Sequence, residues 1–560
     1  MKKLALTISF TLLMIGITSC ATRQGEFNDL VIAGGTIVTG TGAGVIERGG
    51  LVIRDGRILF VGTAEEALRR SNGTVLDAHG LTILPGLIDA HAHVEGLGSS
   101  LETVALQNTR SYDEVIARVH ERAENTAAGE WILGRGWDQN DWAVKEFPTV
   151  AALDAAVPDH PVVVTRIDGH ALLANSTAMR IGGVTRSTPD PAGGRILRSE
   201  QGEPSGVFID NAMGLITRSI PPPSREMRKR RIENATAAIA ATGLTGVHDA
   251  GVDAAALGIY QELADERALP IRIYAMLDDE PSLLSHWFSR GPLAGHGDRL
   301  TVRAVKLYAD GALGSRGAAL LETYSDDPGN SGLLVSTVEH LSEVARRADE
   351  AGFQIGIHAI GDRGVRAALD AVERAGIGPE DRPRIEHLQV IHLGDLPRLR
   401  ALGLIASMQP THATSDMPWA EARVGPERIR GAYAWRTLVE NDIVLAFGSD
   451  FPVEEVSPLL GLYAAVTRED RNGNPPGGWY PAERLSPMEA IRAFTEGAAY
   501  AGFEEETRGT LEAGKAADLT ILAENPLAVD PDRIDDIEVR YTIVGGEIVF
   551  MSRSSGNAAD

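Results

Sequence analysis

Two histidines stand one residue apart, His91-Ala92-His93, directly after the apolar run Ile83-Leu84-Pro85-Gly86-Leu87-Ile88-Asp89. Side chains two apart on a strand point to the same side. His91 and His93 can therefore offer two imidazoles to one cation. Alone, the pair is a weak signal, because many histidines are solvated or packed. Four further residues strengthen it: Lys306, His358, His387 and Asp450 each fall at the end of another short Val- and Ile-rich run. Imidazoles, a carboxylate and a lysine together suit Zn²⁺ or a similar borderline divalent metal.

Such residues can meet only if the runs that carry them end on one face. Eight runs are present, at 83–89, 244–249, 271–277, 302–310, 353–359, 384–389, 404–409 and 443–450. Amphipathic stretches lie between the later ones, for example 337–352 and 361–376. Strand–helix alternation repeated eight times predicts an α/β protein with a (β/α)8 TIM-like barrel spanning 83–507, in which all strand ends share one face. An open doubly wound sheet is the alternative; the strand count and the chemistry at strand ends favour the barrel. The first two runs are too far apart for one connection, so about 96–243 is read as an inserted subdomain over the site. Residues 28–82 and 508–553 are rich in short strands and glycine, with Asp55-Gly56 as a hairpin signal. They predict one small β-sandwich built from both termini.

The chain has 560 residues, with 77 acidic and 53 basic side chains and a net charge of −24. No basic stripe is present, which argues against nucleic-acid binding; the expected partner is a small-molecule substrate, and a homo-oligomeric state stays open. Lys2 and Lys3 precede a mostly apolar stretch to residue 17, a targeting pattern that assigns 1–19 as signal peptide. Ile17-Thr18-Ser19-Cys20 resembles a bacterial lipobox. That implies lipidation at Cys20, residues 20–27 as linker, and anchoring in the cell envelope, with the outer membrane favoured because Ala21 is not aspartate. An ordinary cleaved signal or an uncleaved anchor is the alternative. Cys20 is the only cysteine, so no internal disulfide can form.

The motifs PGLIDAHAH, VKLYADGALGSRGA, IHAIGDRG, IEHLQ, MQPTHA and GSDFPV occur in this order between residues 84 and 453. Together they resemble amidohydrolase family 3, the YtcJ-like branch of the amidohydrolase superfamily. The resemblance covers nearly all of the chain after the signal segment. It implies that His91 and His93 bind the more buried metal with Asp450 beside it. It implies further that Lys306 is carbamylated and bridges two ions, and that His358 and His387 hold the second. An unmodified Lys306 paired with Asp310 or another acid is the alternative, and then only one ion binds tightly. The implied chemistry is metal-assisted hydrolysis of an amide or related C–N bond in an N-acyl compound, formamide, carbamate or cyclic amide. A metal lowers the pKa of its water and polarises the carbonyl, and Asp450 serves as general base. A metal-dependent esterase or lactonase, or a non-catalytic envelope binding protein that keeps the barrel, are the alternatives.

Other residues carry two readings each. His412 could touch substrate or be structural. Arg316 and Arg363 could bind a substrate carboxylate or pair with nearby acids. Trp137, Asp168 and His170 could line the pocket from the insertion, although a tryptophan is more often core. His248 is read as structural, partnered by Asp249. Asp89 is read as steering His91 or the chain turn.

Overall fold

The structure is a computed structural model that describes residues 29–553, apart from 43, 167, 168, 170, 192, 193 and 315. Its centre is a parallel barrel of eight strands: Leu87–Ala92, Leu244–Val252, Arg272–Leu277, Leu300–Tyr308, Gln354–Ala359, Arg384–His387, Ile405–Met408 and Leu445–Phe447. Each pairs with the next in parallel register. The strands are apolar along most of their length because helices cover them from outside. The helix Val338–Glu350 shows how. Thr337 caps it by accepting from the His340 amide, and Leu341, Val344, Ala345 and Ala348 line its buried face. Burying each of the larger side chains contributes about 1.5–3 kcal/mol.

The barrel closes between its eighth and first strands through the segment that carries the site. The Asp450 amide donates to the His91 carbonyl at 2.8 Å. Ser449 donates to Asp89 through both its amide and its hydroxyl, the latter at 2.6 Å. Asp89 also accepts from the His91 amide at 3.0 Å. The expected steering role of Asp89 is thus seen as a tie between the two strands that close the barrel.

The run 83–89, read as one strand, is two. Thr82–Pro85 pairs with Leu519–Leu522 in the terminal sheet, and Leu87–Ala92 enters the barrel. Gly86 separates them, and a Cβ there would lie 2.3 Å from the Thr245 hydroxyl. No side chain fits where the chain passes between the two sheets.

The terminal residues form one hydrogen-bonded path of strands, ordered Arg57–Thr63, Val45–Arg54, Leu30–Val38, Thr82–Pro85, Leu519–Leu522, Val539–Val544 and Glu547–Met551. The sheet folds on itself around Ile32, Leu51, Ile58, Ile83, Leu519 and Ile543, drawn from both ends of the chain. Asp55 and Gly56 both have positive φ, as a tight hairpin turn requires. Between the first two barrel strands lies a six-stranded sheet, ordered Gly194–Arg198, Pro204–Asp210, Ala171–Ala174, Val162–Arg166, Ile132–Trp137 and Val104–Ala105. The helices Val94–Glu102 and Arg225–Ala241 flank it in sequence and pack on each other. Among the described residues no helix is long and apolar enough to cross a membrane.

A buried ion pair joins barrel to terminal sheet. Arg272, opening the third strand, donates to both oxygens of Asp518 at 2.7 and 2.9 Å. Burial pushes the Asp518 carboxyl up, but Arg272, with Arg508 nearby, outweighs it and holds the group below the ordinary aspartate range. Its stabilising contribution is therefore complete above about pH 4 and lost as pH falls through the depressed value. Arg272→Ala leaves a buried carboxylate without its main partner. The expected cost is about 3–5 kcal/mol, with a flatter loss of stability below about pH 4. Denaturant unfolding of both proteins across pH checks this; equal midpoints would contradict it.

Candidate metal centre

The six residues singled out in the sequence converge at the C-terminal mouth of the barrel. His91 lies within its strand, and His93 is the residue before the helix Val94–Glu102. The His93 Nε2 lies 3.1 Å from Asp450 Oδ1, and the His91 Nε2 lies 3.7 Å from the same oxygen. Donors about 2.1 Å from one tetrahedral ion stand about 3.4 Å apart, so these separations are those of ligands sharing a cation. Lys306 Nζ approaches His91 Nε2 at 3.1 Å. The His387 ring lies 4.8 Å from that of His91 and 4.6 Å from that of His358.

Backbone geometry brings the later residues inward. His387 has φ 74° and Asp450 φ 61°, left-handed conformations that a non-glycine side chain adopts at a cost. At His387 this breaks the strand alternation. Glu386 and His387 are consecutive, yet both reach His91.

The donor set fits a divalent ion. Asp450 Oδ1, His358 Nε2 and His412 Nε2 are buried without a hydrogen-bond partner. The rest of each group is anchored behind. His93 Nδ1 faces the Ala250 carbonyl at 3.0 Å, and His387 Nδ1 faces Gln409 Oε1 at 2.8 Å. Those acceptors require N–H at Nδ1 and leave the Nε2 lone pairs for the cavity. Burial, with Lys306 beside it, pushes His91 down to about 4. Burial with the same neighbour pushes His358 down to about 3. His91 and His358 are therefore neutral, the form that binds metal. Burial raises the Asp450 carboxyl, but the His93 ring at 3.1 Å and the surrounding imidazoles more than offset it and keep the group ionised. Burial pushes Lys306 down to about 8, which leaves some neutral amine near neutral pH, the form that adds CO₂.

Lys306 is not paired with Asp310. The Asp310 carboxylate accepts from the amides of Ala319, Ile360 and Gly361 at 2.8–2.9 Å and stands 3.8 Å from His358 Nε2. Burial pushes that carboxyl up to about 6. Nor is Asp249 the partner of His248. Asp249 accepts from the Val94 amide and the Tyr260 hydroxyl, whereas His248 Nδ1 accepts from Arg384 at 2.8 Å. His248 is buried, which agrees with its structural reading.

The peripheral candidates divide. His412 Nε2 lies 3.9 Å from Asp450 Oδ2 and 4.0 Å from Glu454 Oε1, at the edge of the site. Arg316 is engaged by Asp326 at 2.9 and 3.0 Å, the pairing foreseen as its alternative. Arg363 donates to the Gly332 carbonyl at 3.1 Å. Trp137 does not line the site: its ring is core of the inserted sheet, and its indole N–H donates to the Val164 carbonyl at 2.9 Å. Asp168, His170 and Cys20 lie outside the described residues.

Two residues of the site were not anticipated. Glu386 Oε2 meets His91 Nδ1 at 2.5 Å, and Arg384 grips Glu386 from behind, all of them fully buried. Their signal was present in Arg384-Ile385-Glu386-His387: opposite charges two apart in a run otherwise too apolar to face water.

The fold is a parallel barrel whose C-terminal strand ends bring together side chains able to hold a metal ion. The chain belongs to the amidohydrolase family, whose model matches residues 74–550. It is 32% identical over 507 residues to YtcJ of Bacillus subtilis (strain 168), provisionally named an amidohydrolase, covering 89% of this chain and 95% of that protein. It is 26% identical over 528 residues to the N-substituted formamide deformylase of Arthrobacter pascens, covering 89% and 94%. A crystal structure of an uncharacterized metal-dependent hydrolase from Pyrococcus furiosus superposes with TM-score 0.75 at 32% identity, covering 89% of this chain and 100% of that one.

Proposed function

We propose that this protein hydrolyses an amide-type C–N bond in a small molecule, with a divalent cation, zinc by the chemistry of the donors, as cofactor. The observation that carries the reading is the convergence of His91, His93 and Asp450, whose donor atoms lie within 4.8 Å of one another. His91, His93 and Asp450 would hold one ion. Lys306 as a carbamate would join His358 and His387 around a second. An ion bound there lowers the pKa of a water and polarises the scissile carbonyl. Lysine carbamylation suits the site because it converts an ammonium, which repels metals, into an anionic oxygen ligand.

Asp450 would move the proton. It is ionised and buried, with Oδ2 turned toward His412. It takes a proton as water oxygen bonds to the carbonyl carbon, and gives it to nitrogen as the C–N bond breaks. His412, at the rim, is suited to hydrogen-bond the substrate. The name of the Arthrobacter pascens relative supports formamides as one substrate class to try first.

The test is amine release from N-acyl amino acids, formamides, carbamates and lactams by metal-loaded protein. Release from one class fixes the bond. Silence across the panel with ester or lactone cleavage instead would replace the C–N assignment. We also propose that Cys20 anchors the protein in the bacterial envelope. Cys20→Ser is expected to shift it from the membrane to the soluble fraction on cell fractionation, and unchanged membrane association would contradict that.

A further inference from the structure

Beneath the candidate ligands, the barrel interior holds a fully buried polar chain that hydrolysis itself does not use. Glu386 Oε2 accepts from His91 Nδ1 at 2.5 Å. Arg384 donates to Glu386 Oε1 through Nε at 2.9 Å and to Oε2 through Nη2 at 3.1 Å. The same guanidinium donates to the Ala90 carbonyl at 2.6 Å, to Ser407 Oγ at 3.0 Å and to His248 Nδ1 at 2.8 Å. Strands one, two, six and seven are thus tied in one layer. Gly356 on strand five makes the room, since a Cβ there would lie 2.8 Å from Glu386 Oε1. Two guanidinium N–H contacts and the His91 ring thus converge on the two oxygens, an arrangement that holds Glu386 as a carboxylate.

We propose that Arg384 and Glu386 act as a positioning pair that fixes the tautomer and ring orientation of His91, and through it the affinity of the first cation site. The proposal rests on reading His91 as a ligand. An ionised carboxylate only accepts. His91 must then carry its proton on Nδ1 and turn the Nε2 lone pair to the cavity. Arg384 supplies the second half of the device. It has donors against both oxygens of Glu386, so an amide in place of the carboxylate must turn an N–H₂ group on the guanidinium or on His91. In the second case Nδ1 must accept, the ring proton moves to Nε2, and the ligand lone pair is lost.

Glu386→Gln is therefore expected to weaken zinc binding about 10–100-fold, read by competition with a chromophoric chelator, with circular dichroism confirming the fold. Adding Arg384→Met removes the donor that opposes the amide oxygen. Glu386→Gln/Arg384→Met is expected to recover most of the affinity, whereas Glu386→Leu/Arg384→Met, with nothing to accept from His91, is not. A folded Glu386→Gln with wild-type affinity would overturn the proposal. So would equal affinity in the two double variants, a comparison that stands even if the single variant does not fold. Wild-type protein that takes up no zinc would instead overturn the reading of His91 as a ligand, and is distinguishable for that reason.

Discussion

Protein stripped with a chelator and dialysed is expected to lose its hydrolytic activity at least about 10³-fold and to regain it on addition of a divalent ion. A metal supplies several kcal/mol of transition-state stabilisation, and about 4 kcal/mol is already three decades in rate. Among the described residues, nothing else near the reacting position replaces that. Lys306 Nζ is a cation in the same cavity, but it is directed at His91 Nε2 and its charge is weakened by burial. The measurement is initial rate against added ion at constant protein, with circular dichroism to show that the stripped protein stays folded. Full activity after stripping, with metal content verified as nil, would contradict the assignment.

Asp450→Asn is expected to lower kcat about 10²–10⁴-fold while leaving a substantial part of the bound metal in place. Proton transfer by a positioned base contributes that much. Asparagine keeps the shape of the side chain and one carbonyl oxygen for a metal, but it cannot accept and return a proton at neutral pH. The backbone of residue 450 is also constrained: its φ is 61°, and asparagine tolerates the left-handed region as well as aspartate does. The hydrogen bond that its backbone N–H donates to the His91 carbonyl does not involve the side chain. The fold should therefore survive, and the loss should appear in kcat with KM little changed. Normal turnover by a metal-loaded Asp450→Asn protein would move the base elsewhere, with His412 the nearest candidate.

The barrel and the convergence of the candidate site residues were legible because periodicity and residue chemistry coincide there. Most of the runs end on or beside a polar residue that makes no sense in an apolar core unless the run opens on a polar face, as at His358 and His387. What was not legible depends on contacts between distant strands. The run 83–89 looked continuous because its apolar pattern crosses Gly86 unbroken, and only the proximity of Thr245 marks the division. Asp249 was assigned to His248 because they are neighbours in sequence, but successive strand residues face opposite ways, and Tyr260 and Val94 claim the acid. Lys306 and Asp310 were four apart, too far along an extended strand to pair, and the loop after it turns Asp310 onto three backbone amides. Glu386 was passed over because alternation places it on the opposite side from His387. The left-handed backbone at His387 is what sets both on His91. Trp137 belongs to a second core whose existence no local pattern announces.

The metal content of the purified protein, beside that of His91→Ala/His93→Ala, tests the central claim most directly. Wild type is expected to carry about one to two divalent ions per chain, and the variant to lose at least one of them while keeping its fold. Wild type that holds no metal as isolated and takes up none on incubation would contradict the account, as would a variant that retains the full complement.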